Sequence, residues 1–103
     1  MRKLLFLPLF FFTAIAHAQP FGDAKLGKIK SPSCVFCHGQ TGEAVKPNYP
    51  NLNGQNAQYL YQAMLEYQQG KRTTAMAQMM SAQLRALNEQ DLKDIAAFYA
   101  NQQ

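Results

Sequence analysis

The chain has 103 residues, with 10 Lys and Arg against 6 Asp and Glu, two cysteines and no tryptophan. That length suits one small domain, and the modest positive charge includes no lysine run or basic stripe of the kind that binds nucleic acid. No internal repeat or low-complexity tract argues for a solenoid or a disordered segment.

Residues 1–18 read as a secretory signal peptide. Met1-Arg2-Lys3 is basic, Leu4 to Ala16 is apolar except for Pro8 and Thr13, and Ala16-His17-Ala18 is a small-residue cleavage site. The apolar run is short of the ~20 residues that a spanning helix needs. Removing 18 of the 103 residues leaves 85, beginning at Gln19. Arg2 and Lys3 go with the signal, so 8 basic residues face 6 acidic ones, a charge of +2. A domain of that size has a marginal core and calls for a staple such as a covalent cofactor.

Asp23 is placed to cap a short helix through Lys30, with Leu26 and Gly27 on its inner face. Pro32, between two serines, should end that helix just before the next motif.

That motif is Cys34-Val35-Phe36-Cys37-His38. The Cys-x-x-Cys-His spacing is the attachment signature of c-type haem. One turn of helix separates the two thiols by the distance between the porphyrin's vinyl carbons, and the next residue supplies an imidazole to the iron. A disulfide or a thioredoxin-type redox pair is the chemical alternative. The latter belongs after a strand in a βαβ unit, and no convincing strand is present. A zinc site lacks its fourth ligand, since His17 lies in the signal. With no second histidine in the mature chain, the sixth iron position falls to a methionine, to a weaker ligand such as lysine, or stays open. The methionines are Met64, Met76, Met79 and Met80.

Residues 39–55, rich in Gly, Pro and Asn, read as loop. From Asn56 to Gln69, Leu60, Ala63, Met64 and Tyr67 recur with helical spacing up to Gly70. Met64 therefore reads as core packing. Residues 71–86 carry a weaker signal, part loop with a helical turn at most, which places Met76, Met79 and Met80 in an irregular segment. The last helix begins at the Asn88 cap with Asp91 in a capping-box position. Its inner stripe is Leu92, Ile95, Ala96 and Tyr99, with Phe98 beside it.

The chain resembles the small class I cytochromes c, most closely one haem domain of the c4 type or the c-553 type. The likeness runs through Gly22 to Gly27, Cys34 to Gly39, Pro50-Asn51-Leu52-Asn53-Gly54-Gln55, Tyr59-Leu60, Gln62, Gly70-Lys71-Arg72, and Leu87 through Tyr99. It implies an all-α domain of about three main helices, residues 19–103, wrapped around one covalent haem c. Cys34 and Cys37 would carry the haem and His38 would bind its iron. The family's axial methionine lies seven residues before the leucine that precedes the last helix, which falls on Met80, with Met79 the alternative. The family's proline twelve residues after the histidine is Pro50, whose carbonyl would hold the other ring nitrogen.

The match at Gly27 implies a close crossing of the first and last helices, under Phe98 or Tyr99. Ser31-Pro32-Ser33 departs from the small or aliphatic residues usual there. Arg72 and Lys71 read first as solvated cations, with a haem propionate as the alternative partner. Tyr49, Tyr59 and Tyr61 read as haem-pocket packing.

The function this resemblance implies is a periplasmic one-electron carrier of a respiratory chain, monomeric and not an enzyme. It would meet other redox proteins, membrane complexes included, only briefly. Two alternatives are a haem subunit docked permanently on a larger oxidoreductase, and a sensor or enzyme with an open sixth site.

Overall fold

The computed structural model describes residues 2–13 and 21–103. Five helices account for its regular structure: α1 (Ala24–Lys30), α2 (Pro32–His38), α3 (Ala57–Gln68), α4 (Ala75–Leu84) and α5 (Glu89–Ala100). The described residues include no strand, in keeping with the all-α expectation. Residues 2–13 form no regular structure, and Leu4, Phe6 and Phe12 there are 84–96 % exposed, so this apolar run contributes nothing to the core. The Ala16-His17-Ala18 motif lies outside the described residues.

α5 is the central element. Leu92, Ile95, Ala96, Phe98 and Tyr99 on it are buried and join Leu60 and Tyr61 of α3 and Leu84 of α4 in one core. Leu92, fully buried, alone contributes about 1.5–3 kcal/mol on burial. Asn88 starts the helix with a complete capping box, its side chain accepting the Asp91 N–H at 2.8 Å while Asp91 accepts the Asn88 N–H at 3.0 Å.

α1 crosses α5 at Gly27. A Cβ at that position would collide with the Asp94 carbonyl and come within 2.7 Å of Phe98 Cβ, so the two backbones meet only because the side chain is missing. Phe98, rather than Tyr99, covers the glycine. Leu26 is not on the inner face; it is half exposed. Beside the crossing lies the buried carboxylate of Asp94, which accepts the Asp23 N–H at 2.8 Å, Lys30 Nζ at 2.7 Å and Gln90 Nε2 at 2.9 Å. Burial alone would push this carboxyl up; the Asp23 N–H, Lys30 and Gln90 outweigh it and hold it below the usual carboxylate range. Lys30 also pairs with Asp91 at 2.8 Å.

Ser31 both closes α1 and opens α2, and Pro32 at the first helical position needs no hydrogen-bond acceptor there. Fully buried, Ser31 turns its hydroxyl back to the Gly27 carbonyl, so the departure from an aliphatic residue is met by a hydrogen bond.

α3 starts at the Asn56 cap and ends in a Schellman turn. In that turn Gly70 (φ +69°) donates to Tyr67 and Lys71 donates to Glu66 at 3.0 Å. The region read as largely loop instead forms α4, started by Thr74, whose hydroxyl accepts the Ala77 N–H at 3.1 Å. Gln68 of α3 ties down its far end by donating to the Leu84 and Leu87 carbonyls.

Candidate functional site

Helices α2 to α5 and the loop around residues 49–55 enclose a cavity of about 540 Å³, within the 300–1,000 Å³ range of cofactor and ligand sites. A second hollow, between Phe36, Val45 and Tyr49, is only about 170 Å³.

α2 brings Cys34, Cys37 and His38 to the cavity wall. The cysteines stand one turn apart as partly buried free thiols, and burial pushes the Cys34 thiol up. Among the described residues no three His, Cys, Asp or Glu side chains gather as a metal-ion set.

His38 is 5 % exposed, and its Nδ1 lies 2.9 Å from the Pro50 carbonyl oxygen. A carbonyl only accepts, so Nδ1 carries the proton and Nε2 keeps a free lone pair. Pro50 is held there by the folded-back loop. Leu52 and Asn53 N–H both donate to the Gly42 carbonyl, and Asn51 Oδ1 accepts the Ala44 N–H at 2.8 Å. Tyr49 meets the imidazole edge-on, with ring centres 6.4 Å apart.

Met64 lines the cavity from α3, and Met76, Met79 and Met80 line it from α4. The last three therefore present themselves from a regular helix, not from an irregular segment. Met80 is partly buried against the core, whereas Met76 and Met79 are 43 % and 45 % exposed. Met64 also packs on the core, so it belongs to both surfaces.

Arg72 at the rim is not simply solvated. It pairs with Glu66 at 3.1 Å, donates to Tyr67 Oη at 3.3 Å and sits 4.8 Å from the Tyr67 ring centre. Tyr49 and Tyr59 line the cavity as expected; Tyr61 does not. Tyr61 packs edge-on against Phe21 and donates its hydroxyl to Glu89 at 2.9 Å, on the far side of α3.

Tyr67 and Tyr99, read from the sequence only as helix packing, also line the cavity. Both sit on apolar helix stripes, and the stripe of α5 is shared between core and cavity. Tyr99 is 1 % exposed, yet its hydroxyl has no hydrogen-bond partner.

Apolar walls, a histidine with its outer nitrogen free, two thiols one turn apart and thioether sulfurs together fit a covalently held, axially ligated porphyrin. A family model described as cytochrome c matches residues 24–103. Cytochrome c-554(548) of Halomonas halodenitrificans is 42 % identical over 82 residues, covering 80 % of this chain and 99 % of that protein. Cytochrome c4 of Pseudomonas aeruginosa is 42 % identical over 104 residues, covering 99 % of this chain but only 49 % of its own length. The crystal structure of reduced cytochrome c4 from Pseudomonas stutzeri superposes with a TM-score of 0.73 at 34 % identity, over 80 % of this chain and 46 % of that one. The chain thus spans about half the length of these c4 relatives and nearly all of the c-554(548) protein. Its cofactor is covalently bound haem c, and the chain belongs to the cytochrome c family.

Proposed function

We propose that residues 19–103 form a periplasmic monohaem electron carrier, with haem attached at Cys34 and Cys37 and iron held by His38 and Met80. Residues 1–18 would be the signal peptide removed on export, consistent with the large apolar side chains from Leu4 to Phe12 staying exposed instead of joining the core. The observation that carries the reading is the buried His38 bonded to Pro50, because it leaves Nε2 as the available donor and fixes the ring that bears it.

Bound haem c supplies reversible one-electron exchange between Fe(III) and Fe(II). The chain's own residues set the terms. Pro50, by accepting from Nδ1, makes His38 a stronger donor. Met80 offers a soft, neutral thioether that favours Fe(II) over what a second imidazole would give. Its partial burial against the core, beside the greater exposure of Met76 and Met79, supports choosing it. With both axial positions filled by side chains, nothing is left to bind substrate, so the protein is a carrier, not an enzyme. It works as a monomer meeting other redox proteins through a small surface, which suits brief encounters.

Carbon monoxide binding to the folded ferrous protein tests this. A closed iron binds it slowly and incompletely at neutral pH and shows negligible peroxidase turnover. Rapid stoichiometric binding would overturn the carrier reading in favour of an open site.

A further inference from the structure

The cavity is apolar over most of its wall, and among the described residues Arg72 is the one lining side chain that carries a permanent charge. Haem c brings two carboxylates into such a space, on propionate arms at the porphyrin edge opposite the vinyl carbons that the cysteines take. A carboxylate drawn partly out of water needs a cation and N–H donors to offset the solvation it loses. Arg72 is set up to supply both. Glu66 accepts from Nε at 3.1 Å and Tyr67 Oη accepts from Nη1 at 3.3 Å, while the guanidinium lies over the Tyr67 ring, 4.8 Å from its centre. Two neighbours on α3 thus fix the position and plane of the group, and Nη2 takes part in neither bond. The side chain is 35 % exposed, at the boundary between apolar wall and water where the carboxylate end of an apolar ring belongs. Lys71, the neighbouring cation, does not line the cavity.

We infer that Arg72 binds one haem propionate through the Nη2 edge of its guanidinium and thereby raises the reduction potential. The inference rests on the haem attached at Cys34 and Cys37, as proposed above, and is independent of which methionine reaches the iron. Ferric haem carries one more positive charge than ferrous haem, so an unpaired propionate close to the ring favours the ferric state. A guanidinium held against that carboxylate offsets the bias and favours Fe(II). Only an electron moves in the redox step; Arg72 stays charged throughout, since its guanidinium does not release a proton in proteins. No second permanent cation lines the cavity among the described residues, so the other propionate has no such partner and the two arms are unequal. Glu66 holds the guanidinium in place from behind, and its own charge acts in the opposite direction on the iron.

Midpoint potentials of the holoprotein at neutral pH test this, in wild type, Arg72→Gln, Arg72→Lys, Glu66→Gln and the variant carrying both Glu66→Gln and Arg72→Gln. Arg72→Gln should fall below wild type, and Glu66→Gln should not. Arg72→Lys should recover part of the loss, because it keeps the charge without the planar fork. The double variant decides. With Arg72 serving a propionate, it stays below wild type; a double variant at the wild-type potential would mean that Arg72 only neutralises Glu66, and would overturn the inference. Proton NMR of the ferrous wild-type holoprotein needs no variant to fold. Cross-relaxation between an Arg72 Nη proton and the methylene protons of one propionate is expected, and Nη protons that meet neither arm would refute the contact. Rapid carbon monoxide binding by a protein that shows this contact would overturn the carrier reading alone.

Discussion

Replacing Gly27 by alanine tests the packing on which the cavity depends. The added methyl would overlap the Asp94 carbonyl and lie 2.7 Å from Phe98 Cβ. One obstacle is backbone and the other is a β-carbon, so neither can rotate away, and α1 must lift from α5. Overpacking of this kind costs about 1–3 kcal/mol. Lifting α1 also loosens the Asp23 and Lys30 bonds to Asp94, and leaving a buried donor or acceptor unmet adds about 1–3 kcal/mol. Alanine's better helix propensity returns about 1 kcal/mol. The net is a loss of about 3 kcal/mol, equivalent to roughly 12–24 °C in a domain of this size. Thermal unfolding of the ferric holoprotein, followed by far-ultraviolet circular dichroism, reads this directly. A midpoint within about 3 °C of wild type would refute the reasoning, because an obligatory backbone contact cannot absorb a methyl group so cheaply.

Asp94→Asn should destabilise at neutral pH and flatten the acid limb of the stability curve. The folded carboxyl sits below its unfolded value, so its contribution is full above about pH 4 and is lost as pH falls through the folded value. Urea titrations between pH 2 and 7 check it, and an unchanged pH slope in the variant would contradict the assignment. Gly70→Ala should cost about 1–2 kcal/mol, since φ +69° is unfavourable for any residue with a Cβ; urea unfolding that matches wild type would exclude this. Changing Cys34 and Cys37 together to alanine should leave a largely unfolded chain, because a core of this size needs its cofactor. A cooperative, native-like transition in the haem-free variant would show that the staple is dispensable.

Much of the architecture is legible where local chemistry and periodicity agree. Asp23, Asn56 and Asn88 all cap helices that begin at the next residue, and α3 ends where Gly70 was read to end it, with the glycine in the left-handed conformation. α4 was hidden for a physical reason. Its residues, Ala75-Met76-Ala77-Gln78-Met79-Met80, favour helix individually, but only Ala77 and Leu84 of the helix are fully buried. One side of the helix faces the cavity, so no clean polar and apolar division marks it, and its methionines look like loop residues. Tyr61 was misjudged for a related reason. A stripe of apolar residues shows that a helix face is inward, not whether it meets another helix or the cofactor space. Arg72 escaped because its partners, Glu66 and Tyr67, lie across the turn that ends α3, and only the folded turn brings them together.

Within the site, the Cys-x-x-Cys-His segment could be read from spacing alone, whereas Met80 and Pro50 came from likeness to a family. The ligand assignment therefore turns on one measurement. The weak long-wavelength absorption band of sulfur-bound ferric haem should be present in oxidised wild type. It should vanish in Met80→Ala, with haem still covalently attached, and persist in Met79→Ala. A band that survives in Met80→Ala and disappears in Met79→Ala would contradict the account and move the iron ligand one residue along α4.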